Sequence, residues 1–366
     1  MGSVPICTSV MGCLVVCLVY VEAAYAEPYI AYREGYKCSV CHVNQTGGGM
    51  RNAYGALYTQ TDLVPLLEEW SEKSMDFSSE LGGSVTMGAD FMVVEKTLFS
   101  VDDEKASTSF DIDSGSLYLS TELIAGHLTL YIDETITPSG ASNRESFILI
   151  EDLPGSAYLK AGRMLLPYGI RVWDDEAFIR QVTGFNYDNQ DMGVEVGIEP
   201  GNFSLIAALS NGTSGSRDDN KGKQISTTGS FFLRNFVLGG SFSLNRSGGI
   251  ERLLFGPYAS LRVGPLTLMG EADWISESER IERNQFVAYS SLEYWYRQSL
   301  NFRLAFDYHD PYDSVEEDER SRLSIGLDAF LTPSLSAGAY YRIKKGIPQN
   351  AQDNADAFVL SLHAFF

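Results

Sequence analysis

The residues with the most definite chemistry are Cys38-Ser39-Val40-Cys41-His42. Two thiols at this separation, followed at once by an imidazole, make the C-x-x-C-H pattern that attaches c-type haem. The chemistry requires that spacing. Two thiols add across the two vinyl groups of one porphyrin, and the adjacent histidine is carried under the iron as proximal ligand. Half a zinc site would want further Cys or His ligands close by, and the next histidine is His127. A redox dithiol would sit in a thioredoxin-like βαβ setting, which the surrounding pattern lacks. The expectation is one covalent haem c, held by Cys38 and Cys41, with His42 on the iron. Met50 and Met75 are candidates for the distal ligand within the same segment, and a five-coordinate iron is the alternative. His127, His309 and His363 lie outside that segment.

The elements that must position this motif begin after residue 26. Met11 to Val21 is apolar but too short to span a bilayer as a helix, and Ala24-Tyr25-Ala26 follows as a small-x-small cleavage pattern. Residues 1–26 therefore read as a secretory signal peptide, which takes Cys7, Cys13 and Cys17 with it. Residues 27–79 form a short haem-binding segment with helices expected at Pro28–Lys37 and Asp62–Lys73. Between them, Thr46-Gly47-Gly48-Gly49 either lets backbone approach the porphyrin closely or is a flexible loop. A piece this small has a marginal core and needs another surface to cover its haem.

From Glu80 to Phe366 apolar and polar residues alternate with the period of a strand. In Leu300 to His309 every even position is apolar, while Arg303 and Asp307 share the opposite face. Glu195 and Glu271 fall on the same side of their own strands. Strands are predicted near 80–94, 107–120, 126–134, 144–151, 156–165, 190–199, 202–210 and 224–233. Eight more follow near 236–245, 250–262, 265–275, 284–297, 299–309, 319–331, 334–344 and 356–366. Very short turns such as Arg234-Asn235 alternate with long polar stretches such as 166–189, 211–223, 310–318 and 345–355. The fold class is thus all-β: a sixteen-stranded antiparallel transmembrane barrel of the bacterial outer membrane, preceded by a short helical haem segment. The last strand, with Phe358, Leu360, Leu362, Ala364 and Phe366 on one face, resembles the assembly signal of such barrels. An even strand count puts both ends of the barrel on the periplasmic side, where c-type haem is attached.

With 27 basic and 48 acidic residues the chain lacks the basic face that nucleic acid requires. Asp102-Asp103-Glu104, Asp174-Asp175-Glu176 and Glu316-Glu317-Asp318-Glu319 read as acidic outer loops, either solvated or attractive to cations. No Ser-His-Asp, P-loop or paired-carboxylate pattern is present. Gly162 to Gly169 resembles the Gly-x-x-x-x-Pro-[Phe/Tyr]-Gly stretch of phosphate- and polyanion-selective porins. The longest outer connection, Leu166 to Asn189, follows strand five. The resemblance to sixteen-stranded porins, whose corresponding loop folds inward and narrows the pore, implies the same here.

In organisation the chain resembles the fused monohaem cytochrome–porins of iron-oxidising bacteria. The likeness rests on Cys38, Cys41 and His42 placed ahead of a barrel at 80–366. It implies an outer-membrane electron-transfer protein set in lipid. Its partners would be periplasmic carriers such as soluble c-type cytochromes and an extracellular donor or acceptor such as iron. A diffusion porin with an accessory haem segment, and a haem enzyme with an open iron position, are the alternatives.

Overall fold

The computed structural model describes residues 28–63, 66–67, 80–81, 83–99, 106–137, 140–216, 218, 220–247, 249–278, 282–347 and 351–366. The signal peptide, Met75, Asp102-Asp103-Glu104 and most of the helix expected at Asp62–Lys73 lie outside the described residues.

Alternation becomes strand throughout the second part of the chain. A two-residue piece, β1 (Glu80–Leu81), leads into β2 (Val85–Leu98), β3 (Ser107–Ile124), β4 (Leu128–Thr137), β5 (Gly140–Leu153) and β6 (Ala157–Met164). Next come β7 (Asp191–Ile198), β8 (Phe203–Ser210), β9 (Gln224–Leu233), β10 (Phe236–Ser247), β11 (Ile250–Val263) and β12 (Leu266–Ser278). The wall is completed by β13 (Glu282–Arg297), β14 (Leu300–Asp310), β15 (Arg320–Thr332), β16 (Leu335–Lys345) and β17 (Ala357–Phe365). Each strand pairs antiparallel with the next, and β17 pairs back onto β2 from Ala357↔Leu98 to Phe365↔Asp90. Sixteen strands, β2 to β17, therefore close a barrel and leave it no free edge.

One rim carries tight turns, such as Arg234-Asn235, Gly264-Pro265 and Gln298-Ser299. The opposite rim carries the long connections at 165–190, 211–223, 311–319 and 346–356. The expected alternation of short and long is incomplete, because only two or three residues separate β4 from β5, β10 from β11 and β12 from β13 on that rim. There the strands themselves run on: β11 has 14 residues and β13 has 16, against roughly 10 needed to cross an outer membrane.

The barrel is inside-out relative to a water-soluble protein. On β14, Phe302, Leu304 and Phe306 are each more than 40% exposed, while Asn301, Arg303 and Asp307 are buried. An apolar outer band around a polar interior suits a hydrocarbon surround and wastes apolar surface in water. The buried charges are paired across the lumen wall: Arg144 Nε to Asp133 Oδ2 at 2.7 Å, Lys160 Nζ to Glu195 Oε1 at 2.8 Å, and Arg322 Nη2 to Asp307 Oδ2 at 2.8 Å.

Two pieces of chain fold inside. Residues 28–63 sit at the tight-turn end, with helices α1 (Pro28–Glu34) and α2 (Ala53–Thr61). The connection 165–190, which carries the short helix α3 (Phe178–Thr183), crosses the lumen above them. Helix α2 is thus not anticipated by the sequence, and lies N-terminal to the helix expected at Asp62–Lys73. Asn52 starts it by accepting a hydrogen bond from Gly55 N at 2.9 Å, and Asp62 is already its C-cap.

Candidate functional site

The motif is placed by contacts to the barrel wall on several sides. Tyr29 of α1 packs on Trp295 of β13, ring centroids 5.6 Å apart, with the Arg303 guanidinium 4.8 Å above its ring. Arg262 of β11 donates to the Arg33 carbonyl and to Glu34 Oε2, each at 3.0 Å. Lys37 and Ser39 then bond Glu199 in the β7–β8 turn, and Cys38–Val40 forms a single 3-10 turn. Cys41 N and His42 N both donate to the Cys38 carbonyl, at 3.1 and 3.0 Å, so one tight turn sets the spacing of the three side chains.

Residues 42–51 form a hairpin locked into the wall. Asn44 Nδ2 donates to both Glu145 oxygens at 2.9 Å, and Lys160 Nζ, already paired with Glu195, donates to Asn44 Oδ1 at 3.0 Å. Gln45 reaches Glu151 at 2.6 Å. At the hairpin tip Gly47, Gly48 and Gly49 all have positive φ, at 82°, 79° and 62°. Three successive residues in that region require glycine, so the run is an ordered tip rather than a flexible loop. On the other side α2 lies directly on the motif, and a Cβ on Gly55 would overlap the Cys41 carbonyl.

Cys38, Cys41 and His42 line one cavity together with Gly47 and Gly48. The wall facing them comes from Pro167, Tyr168, Gly169 and Arg171 of the inward connection, and from Tyr258 of β11. The stretch Gly162 to Gly169 therefore supplies part of the cavity wall.

Four observations test whether haem fits here. His42 Nδ1 is buried and makes no hydrogen bond. Burial and the nearby Arg51 hold the His42 imidazole down to about 4, so it is neutral, the form that ligates iron. A Cβ on Gly47 would stand 3.2 Å from Cys38 Sγ, so the glycine keeps the space beside the thiol clear. Burial and Glu199 push the Cys38 thiol up to about 11, and burial raises that of Cys41. Such thiols are poor thiolates, unlike those of a reactive dithiol. The residues fit a covalently held haem.

Other candidates separate from this group. Met50 is buried and does not line the cavity: its backbone N bonds Tyr131 Oη at 2.9 Å, and its side chain fills the space over Gly88 on β2. The structure thus gives no support to Met50 as distal ligand. His363 Nε2 lies 2.6 Å from Asp90 Oδ2, His309 Nε2 is 3.2 Å from Gln285, and His127 sits in a tight turn near Asp152. Among the described residues lining the cavity there is no methionine and no second histidine.

The inward connection follows the fifth barrel strand, as expected. Tyr168 Oη donates to Asp273 at 2.8 Å, Phe178 N donates to Asp307 at 2.9 Å, and Arg252 donates to the Thr183 carbonyl at 2.7 Å. Asp174-Asp175-Glu176 corrects the reading of an outward acidic loop. Asp174 pairs with Arg322 at 2.7 Å and Arg342 at 3.1 Å, while Glu176 pairs with Arg342 at 2.9 Å, with Lys344 and with Lys96. Lumen cations facing the connection draw it inward. Glu316, Glu317 and Glu319 are exposed at the outer rim. Among the described residues no group of three or more His, Cys, Asp or Glu is arranged to hold a metal ion.

Arg171 and the Asn44–Lys160–Glu145–Glu195 cluster were not singled out by the sequence. The signal was present for the cluster's wall residues: Glu145, Lys160 and Glu195 occupy lumen positions in their strands.

A closed sixteen-stranded antiparallel barrel with an apolar exterior and an inward segment after the fifth strand is an outer-membrane porin-like barrel. Among solved structures the chain is similar to OmpT, a trimeric outer-membrane protein of Vibrio cholerae, with TM-score 0.63 and 10% identity over 77% of this chain and 99% of that one. It is equally similar to an anion-selective porin from Comamonas acidovorans, with TM-score 0.63 and 12% identity over 77% and 99%. A complex of Salmonella typhi OmpF with daunomycin gives 0.58 and 10% over 78% and 98%. At such identities the likeness is one of fold. No family model matches the chain, and no curated protein matches it in sequence.

Proposed function

We propose that the protein is an outer-membrane electron-transfer protein carrying one haem c inside a porin-like barrel. The observation that supports this most is the position of Cys38, Cys41 and His42, which together line the cavity inside the lumen. Cys38 and Cys41 would hold the porphyrin edge and His42 would ligate the iron. A haem bound there supplies a one-electron couple within the thickness of the membrane. The hairpin at 42–51 keeps the imidazole neutral and fixed, while α2 and the inward connection enclose the space around it. Periplasmic carriers such as soluble c-type cytochromes would meet the tight-turn rim, and an extracellular donor or acceptor such as iron the other. A diffusion porin with an accessory haem segment is the second reading, favoured by the fold likeness to OmpT and the Comamonas porin.

The test uses full-length protein from a host with haem-c maturation, examined by pyridine spectrum and by planar-bilayer conductance. The proposal expects one covalent haem per chain, absent from Cys41→Ala, and a conductance far below that of an open porin. An open-channel conductance without covalent haem would establish the porin reading instead.

A further inference from the structure

Resting on the haem reading above, we infer that Arg171 binds a carboxylate of the bound tetrapyrrole and thereby sets its redox behaviour. Arg171 is 9% exposed and lines the cavity that holds Cys38, Cys41 and His42. Its guanidinium donates to three neutral oxygens: Thr46 Oγ1 and the Gly47 carbonyl at 3.3 Å each, and the Leu166 carbonyl at 2.6 Å. Its Nε is buried and makes no hydrogen bond, and among the described residues Arg171 forms no ion pair.

The other arginines buried in the wall make the contrast. Arg144, Arg303 and Arg322 each face a carboxylate within 3.0 Å. Leaving a charge buried and unpaired is costly, and a guanidinium has its strongest partner in a planar carboxylate. The tetrapyrrole of a c-type haem brings two propionate carboxylates into this same space. Arg171 also bridges the hairpin tip to the inward connection, so a carboxylate on its Nε would join haem, hairpin and constriction. Its positive charge is felt at the motif, where it draws the Cys38 thiol down against burial and Glu199.

Arg51 lines the same cavity, with its guanidinium 3.9 Å above the Phe365 ring and no ion pair among the described residues. It lies on the same hairpin, close to His42, so substituting it would disturb the ligand itself. Arg171 stands on a different piece of chain and is the cleaner position to test.

The experiment is a spectroelectrochemical titration of the purified holoprotein between pH 5 and 9, dialysed into carboxylate-free buffer. Wild type, Arg171→Gln and Arg171→Lys are compared after the pyridine spectrum has confirmed equal covalent haem. Loss of the positive charge removes a group that favours both the reduced iron and the ionised propionate. Arg171→Gln should therefore lower the midpoint potential and move the pH at which it bends upward by about one unit or more. Arg171→Lys should restore most of both effects. Unchanged potential and pH profile in Arg171→Gln, with haem content intact, would overturn the inference while leaving the haem reading standing. A potential that follows added acetate would also overturn it, since a free carboxylate would then occupy Arg171. Absence of covalent haem from the wild type would overturn the reading beneath it as well.

Discussion

The lumen holds two inward pieces of chain, and they are fastened by opposite means. In the connection 165–190, Asp174 and Glu176 are fully engaged by Arg322, Arg342, Lys344 and Lys96. The segment at 28–63 is fastened mainly by neutral donors, with Ser39, Asn44 and Gln45 bonding wall carboxylates and Tyr29 stacking on Trp295. The first arrangement closes Asp174 and Glu176 on wall cations, while its own Arg171 Nε and Arg180 Nε and Nη2 are buried without a hydrogen bond. The second leaves His42 Nδ1 buried without a hydrogen bond, facing Arg171 of the connection across the cavity. Native interiors rarely leave such atoms unpaired unless a ligand, ion or water completes them. Asp174 and Glu176 of the connection are neutralised by wall cations, whereas His42 and Arg171, one from each piece, face the cavity.

The largest effect on this comparison should come from Lys160, whose ammonium ties Glu195 and Asn44 together. Lys160→Met leaves Glu195 buried and uncompensated, a loss of about 3–5 kcal/mol. It should release the hairpin at 42–51 to limited proteolysis while the barrel, read by heat-modifiable gel migration, still assembles. Gly49→Ala should follow. Its φ of 62° disfavours a side chain, and a Cβ would overlap the Tyr131 hydroxyl. A destabilisation of about 1–3 kcal/mol, seen as a lower melting temperature of the folded form, is expected. A flexible tip would instead tolerate alanine without a measurable shift.

The smallest effect should be on the connection in acid. Burial opposes ionisation of Asp174 and Glu176, but Arg322 and Arg342 around the first, and Arg342, Lys344 and Lys96 around the second, hold both below the usual carboxylate range. The unfolded chain then takes up protons first as pH falls, so this stabilisation is complete at neutral pH and lost from about pH 4 downward. Asp175, pushed up to about 7 by burial, acts in the opposite sense between those values, confining the net loss to the acid end. Conductance should therefore rise below about pH 4, and Glu176→Gln should show a weaker acid dependence than wild type. A flat conductance from pH 7 to pH 3 would mean that these ion pairs do not hold the connection.

The barrel was legible because its signal is periodic: one-residue alternation from Glu80 onward specifies which side chains face outward, and closure follows from the even count. Phe302, Leu304 and Phe306 point outward and Arg303 and Asp307 inward, as their spacing requires. The motif was legible because its chemistry is local. What the sequence did not reveal depends on contacts distant along the chain. Asn44 meets Glu145 across 101 residues and Lys160 across 116, and Arg171 meets Gly47 across 124. The acidic run at 174–176 misled for the same reason, since Lys96, Arg322 and Arg342, which turn it inward, lie on three separate strands. The helix at Ala53–Thr61 is not anticipated by the sequence, because its start depends on the Asn52 cap and not on apolar periodicity.

Under the proposed function the lumen would carry electrons rather than solutes. The most direct test seals the purified protein into liposomes that contain a reduced dye, with a ferric acceptor outside and haem content confirmed beforehand. Electron transfer through the lumen predicts oxidation of the dye without its leakage, abolished by His42→Ala in barrels that remain correctly inserted. Leakage of the dye, or oxidation that persists undiminished in His42→Ala, would contradict it.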